Sequence, residues 1–204
     1  MKLPDSSEPI KITGICGSLS ANGATKNALK VALDGAAEYG AKISLLELRD
    51  LDLVFFGSVG VGEYPPDVIA LRKAISESQG IILATPEYHG SMSGVLKNML
   101  DLMSIDDFET KIVGLVGVAG GHTGAINSLN TMKTICRNLH CWVLPQDVSI
   151  ANSSLAFDED GSTKDGTLEE RLLNVGRQAV KFASLQQKVQ QDDFMAMWKT
   201  LPTW

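Results

Sequence analysis

Short apolar segments alternate with amphipathic helical stripes along this chain of 204 residues, and that alternation constrains the fold more than any other feature. Residues 10–16, 42–48, 80–85, 111–118 and 141–144 read as strands. Between them apolar side chains recur at helical spacing. Ala28, Leu29, Ala32, Leu33 and Ala36 form one stripe, and Val68, Ile69, Leu71 and Ile75 form another behind Pro65-Pro66. Proline there sits in a first helical turn, where its missing N–H is not needed. Val95, Leu96, Met99, Leu100 and Met103 make a third stripe, and Ala125, Ile126, Leu129, Met132, Cys136 and Leu139 a fourth. Leu168, Leu172, Val175, Ala179 and Ala183 make the last. Strands separated by helices need crossover connections, which are right-handed and cover both faces of a parallel sheet. The run Gly80-Ile81-Ile82-Leu83-Ala84 has no polar alternation, as expected of a strand buried on both faces.

The expected fold is therefore an α/β three-layer sandwich: a five-stranded parallel sheet in the flavodoxin-like order 2-1-3-4-5, with helices on both faces. Composition agrees, since 44% hydrophobic and 21% charged residues are close to the globular average. No apolar run approaches the roughly 18 residues of a membrane span. Residues 1–9 lack the apolar stretch of a secretory signal and read as a flexible N-terminal segment, followed by one domain over 10–185. A net charge of -6 argues against nucleic-acid binding, which needs surplus Lys and Arg. Cys16, Cys136 and Cys141 form no C-x-x-C pair and are odd in number, which suits a reduced, cytoplasmic protein. Residues 148–166 are polar and turn-rich, an extended loop or hairpin beside the last strand. The tail, 186–204, carries Phe194, Met195, Met197, Trp198, Leu201 and Trp204 and is expected to dock on the domain or on a partner subunit.

Ligands of such sheets bind beyond the carboxyl ends of the strands, where the strand order reverses. After the first strand, Gly17-Ser18-Leu19-Ser20-Ala21-Asn22-Gly23-Ala24-Thr25-Lys26-Asn27 offers hydroxyls, an amide and the N–H groups of a helix N-terminus. That donor set suits a phosphate dianion, and equally an ordinary helix cap. Sharper motifs fail. Glycines at 14, 17 and 23 do not make G-x-G-x-x-G, no Lys follows Gly23 as a P-loop requires, and Gly90-Ser91-Met92-Ser93-Gly94 has Met at the nucleophile position of G-x-S-x-G. After the third strand, Thr85-Pro86-Glu87-Tyr88-His89-Gly90-Ser91 holds a tyrosine whose ring can face a planar ligand. After the fourth, Ala119-Gly120-Gly121-His122-Thr123-Gly124 lets a ligand approach the backbone. Lys97 and Asp101, one helical turn apart, read as a structural ion pair. Cys136 and Cys141, on an apolar stripe and at a strand start, read as buried thiols before metal ligands.

Taken together, Gly17-Ser18-Leu19, Thr25-Lys26-Asn27, Pro86-Glu87-Tyr88-His89-Gly90-Ser91, Leu96-Lys97-Asn98-Met99-Leu100-Asp101 and Gly120-Gly121 resemble the NADPH-dependent FMN reductase family over roughly residues 10–185. The Pro-Glu-Tyr element is the most specific part. The resemblance implies non-covalent FMN, with Gly17, Ser18, Leu19, Ser20, Thr25 and Asn27 about its phosphate. It places Pro86, Glu87, Tyr88, His89 and Gly90 at the flavin ring, Tyr88 stacking on it and Glu87 acting through its backbone N–H. Gly120 and Gly121 would admit the flavin edge. The family's phosphate loop commonly reads G-S-x-R-x-x-S-x-N. Here Ser20 stands at the Arg position, so a charge-assisted phosphate contact is missing and weaker FMN binding is expected. Lys26 either replaces that cation or faces solvent.

The function so implied is an NAD(P)H-dependent reductase passing hydride from NADPH or NADH to FMN and on to a small acceptor such as a quinone, flavin, azo compound or metal oxyanion. No catalytic side chain and no metal are expected, and a homodimer or homotetramer is. Two other readings stay open: a flavodoxin-type electron carrier without nicotinamide turnover, and a flavin-free protein that binds another phosphate ligand or serves in assembly.

Overall fold

The computed structural model describes residues 8–191, so most of the N-terminal segment (1–7) and the aromatic tail from Phe194 to Trp204 lie outside the described residues. In chain order the elements are β1 (Lys11–Cys16), α1 (Ala24–Ala37), β2 (Lys42–Glu47), α2 (Pro66–Ser76), β3 (Gly80–Tyr88), β4 (Ser91–Met92), α3 (Gly94–Asp101), α4 (Ile105–Phe108), β5 (Ile112–Val118), α5 (Ile126–Asn138), β6 (Trp142–Val143), β7 (Val148–Ile150) and α6 (Gly166–Gln191). The main sheet runs β2-β1-β3-β5-β6, all parallel, which is the expected order.

The sheet has seven strands because two short pieces join it. β4 folds back antiparallel on the end of β3. The expected fifth strand is split: Trp142 and Val143 pair with Ile112 and Val113, the chain leaves at Leu144-Pro145, and β7 returns beside Val116–Val118. Pro145 has no N–H to give the ladder, so the edge breaks there. The segment expected as a loop or hairpin thus begins as a strand, and its hairpin closes further on, at the Phe157–Thr163 bridge.

Successive β3 side chains point to opposite faces, and both faces are covered. Ile82 and Ala84 join a core with Leu29, Leu33, Leu172 and Val175 of α1 and α6. Ile81 and Leu83 join Leu71, Leu96, Met99, Phe108 and Met132 beneath α2 to α5. That double burial is why the strand sequence shows no polar alternation. α1 and α6 meet backbone to backbone: a Cβ on Gly35 would overlap the Leu173 carbonyl oxygen, and one on Gly176 the Ala32 carbonyl oxygen. Among the described residues no helix is long and apolar enough to cross a membrane.

Candidate functional site

Three loops leave the carboxyl ends of β1, β3 and β5 and are tied to one another. The Gly17 N–H donates to the Ala84 carbonyl across the strand pair at 2.8 Å. Its own carbonyl accepts from the Ser93 hydroxyl at 2.6 Å. Ser93 is the N-cap of α3, accepting from the Leu96 N–H at 3.3 Å, while its own N–H donates to the Thr85 hydroxyl at 3.0 Å. One buried serine thereby joins the first loop, the end of β3 and the start of α3.

The Ser18 hydroxyl is buried and accepts from the Ser20 N–H at 3.2 Å. α1 starts at N-cap Gly23 with no side-chain cap, and the first intrahelical bonds come from Lys26 and Asn27 to the Gly23 carbonyl. Among the described residues the N–H groups of Ala24 and Thr25 and the hydroxyls of Ser20 and Thr25 have no partner. The helix dipole adds positive potential at the same place. Lys26 neither faces solvent nor stands free: its Nζ lies 2.6 Å from Glu47 Oε1, so its charge is matched. Asn27 turns toward the hairpin wall, where a Cβ on Gly161 would stand 3.0 Å from Asn27 Oδ1.

The second loop is a two-residue hairpin. Glu87 pairs with Met92 and Tyr88 with Ser91, and His89 and Gly90 between them have φ of 52° and 78°. Two positive φ values mark a turn whose twist matches the strands, with Gly at the second position and His as a residue tolerant of that region. The turn projects Tyr88, which is 57% exposed, from the rim. The Glu87 carboxylate does more than the sequence suggested. It accepts from the Ser128 N–H at 3.0 Å and from Asn127 Nδ2 at 3.4 Å, capping the N-terminus of α5 from another element. Ala125 N–H is held by the Ser149 hydroxyl at 2.9 Å.

The third loop is anchored by β7 and by Asn152 just beyond it: Ala119 N–H donates to Ile150 O at 2.8 Å and Asn152 N–H to Gly121 O at 3.1 Å. Gly120 and Gly121 are exposed, with no atom within 4 Å of where a Cβ would stand. The rim thus offers open backbone there.

Other residues singled out in the sequence lie elsewhere. Lys97 Nζ bonds both Asp101 oxygens at 2.6 and 2.8 Å on the exposed side of α3. Burial pushes the Cys16 thiol above its ordinary pKa. The neighbouring Cys136 thiol, then burial, raises that of Cys141. Ser93 and the Glu87 carboxylate are the residues sequence reasoning missed. Ser93 carried an N-cap signal, a serine opening an apolar helix; the Glu87 cap had none, since its partners are about forty residues away.

A family model described as NADPH-dependent FMN reductase matches residues 10–154. An NADPH azoreductase from Bacillus sp. (strain OY1-2) is 42% identical over 105 residues, 50% of this chain and 59% of that protein. An FMN-dependent NADPH-azoreductase from Staphylococcus aureus (strain USA300) is 30% identical over 152 residues, 72% of this chain and 80% of that protein. In fold, an oxidoreductase from Corynebacterium diphtheriae superposes with TM-score 0.71 at 17% identity, over 87% of this chain and 98% of that one.

Proposed function

The chain belongs to the NADPH-dependent FMN reductase family, and from that membership we propose which of its residues serve the reaction and which acceptors it takes. It is an oxidoreductase with FMN as cofactor and NADPH as reductant. FMN, when bound, supplies the two-electron relay between reduced nicotinamide and a second acceptor. The chain has to supply grip, orientation and charge compensation.

The observation that carries the site assignment is the unmatched donor set of the first loop. The Ser18 and Ser20 hydroxyls lie beside N-cap Gly23, the helix it starts has no side-chain cap, and the local cation is already paired. Such a cradle fits a phosphate dianion held by neutral donors and the helix dipole. We assign the phosphate to Ser18, Ser20, Thr25 and the backbone of Gly17 and Leu19, with Asn27 shaping the wall beside Gly161. Pro86, Glu87, Tyr88, His89 and Gly90 would take the flavin ring. The backbone N–H groups of that turn would face the ring edge that gains negative charge on reduction, and Tyr88 would offer its ring face. Open backbone at Gly120 and Gly121 suits the flavin's edge. The chemistry needs no acid or base from these loops, so activity ends when grip is lost.

An exposed Tyr88 over a shallow rim discriminates little between planar acceptors. The names of the two azoreductases add weight to azo compounds, and quinones, free flavin and metal oxyanions belong to the same proposal. No motif reads the 2′-phosphate of the dinucleotide, so NADH is to be compared with NADPH as donor. We further propose one functional domain over 10–185, whose last helix runs on into the flanking segment 186–204 as far as Gln191, with 1–9 flanking its other end, assembled as a cytoplasmic homodimer or homotetramer.

Purified protein should be yellow. At FMN one hundred times its Kd the apoprotein should gain about 2.7 kcal/mol, a rise of roughly 5–10 °C in Tm. Tyr88→Ala should impair flavin binding or turnover at unchanged far-UV circular dichroism. Absence of both a flavin band and a thermal shift would refute the site. Flavin without steady-state NADPH oxidation would favour an electron carrier instead.

A further inference from the structure

On the far side of the molecule from the three loops, the register of β6 sets an aromatic side chain beside α6. Trp142 pairs with Ile112, and in-register neighbours point to the same face. Ile112 belongs to the core under α1 and α6, whereas Val143 packs with the opposite core. Trp142 therefore stands on the α6 face, at the sheet edge, and it is 65% exposed.

α6 brings two more apolar groups there. One side of the helix meets α1 through Leu173 and Gly176. The opposite side meets the β6–β7 edge, where Gln178 Nε2 donates to Gln146 Oε1 at 2.8 Å. Phe182 and Leu185 follow Gln178 at i+4 and i+7, so they lie on that edge side. The next residue, Gln186, donates to the Thr110 carbonyl, which puts this turn of α6 alongside the start of β5 and hence near Trp142. Phe182 is 39% and Leu185 41% exposed. Trp142, Phe182 and Leu185 thus form an apolar ledge along an edge strand only two residues long, where sheets are ordinarily covered.

α6 is described as far as Gln191, less than two turns past Leu185, and the sequence continues through 192–204. That segment holds Phe194, Met195, Met197, Trp198, Leu201 and Trp204 among few charges, and its extended reach of about 40 Å far exceeds the length of the ledge. We propose that residues 192–204 of the same chain dock on the ledge of Trp142, Phe182 and Leu185, closing the β6 edge. The occupant is the chain's own segment because its tether begins beside the ledge and its composition matches the surface.

Trp142, Trp198 and Trp204 are the three tryptophans, which makes the test direct. In the full chain carrying Trp198→Phe and Trp204→Phe, Trp142 alone reports. A second full-length protein adds Phe194→Ser and Leu201→Ser and has Ser in place of both tail tryptophans. Both are compared at equal flavin content. Docking predicts that the second protein shows a red-shifted Trp142 emission and stronger acrylamide quenching than the first. Equal spectra and equal quenching in the two overturn the proposal. Shielding lost on dilution overturns the own-chain form and assigns the ledge to the tail of a second copy. A further measurement avoids the tail substitutions: with Trp142→Gln in the otherwise native chain, trypsin should cleave after Lys199 faster than in wild type, and an unchanged rate counts against docking. None of these readouts depends on where FMN binds.

Discussion

Glu87 supplies the sharpest perturbation, because one half-buried carboxylate joins the hairpin that bears Tyr88 to the helix that begins behind Gly120 and Gly121. Glu87→Ala removes the acceptor of the Ser128 N–H, the partner of Asn127, and a negative charge at the positive end of α5. A hydrogen bond to a charged group contributes about 1.5–3 kcal/mol, and a charge at a helix N-terminus about 0.3–1 kcal/mol. The Asn127 bond is long at 3.4 Å and exposed, so the lower part of that range applies. We expect a loss of about 2 kcal/mol, read in urea or thermal denaturation as a fall of roughly 4–8 °C in Tm. Glu87→Gln keeps a carbonyl acceptor without the charge and should lose about half as much. Both variants should also weaken FMN binding, followed by titration of the flavin absorbance, with Gln again the milder. An Ala variant with wild-type stability would refute the cap. A destabilised Ala variant that binds flavin normally would show that the cap does not position the hairpin for the ligand.

Ser20→Arg should tighten FMN binding by about 10- to 100-fold, the value of one charge-assisted contact. Calorimetry showing unchanged or weaker affinity would remove the first loop from the phosphate site. Lys111 donates to the carbonyls of Ser76 and Ser78, and burial lowers its pKa. The unfolded chain therefore binds more protons than the folded one from that lowered value up to the ordinary value of about 10.4. Across that alkaline window, wild type should gain stability relative to Lys111→Met as pH rises, and a flat difference in urea midpoints would contradict it. Cys16 and Cys141 carry raised pKa values and Cys136 is buried, so the folded protein at neutral pH should react with iodoacetamide only as fast as it opens. Rapid labelling of any of the three would show that the thiols are not held as described.

Much of this arrangement was legible along the chain. The helical stripes correspond to α1, α2, α3, α5 and α6, and the apolar runs to the strands, because each pattern follows from burying one face, or both, of an element of known period. The turn at His89-Gly90 was also local: Gly next to a residue that tolerates positive φ, between two residues on either side that can pair. The edge was less legible. Pro145 breaks the fifth strand, and whether the chain then returns to the sheet depends on the free edge that β5 offers at Val116–Val118.

By itself, the sequence determined the layered architecture, the strand order and the position of the three loops proposed to carry the site, since periodicity, proline and glycine act over a few residues and need no distant partner. Only the tertiary structure decided the partners of the polar groups in those loops. Ser93 reaches Gly17 across 76 residues of chain, Glu87 reaches Ser128 across 41, and Lys26 spends its charge on Glu47. A hydroxyl, a carboxylate or an ammonium group satisfies itself with whatever the fold brings within about 3 Å. That neighbour is set by how strands and helices stack, and no spacing along the chain encodes it.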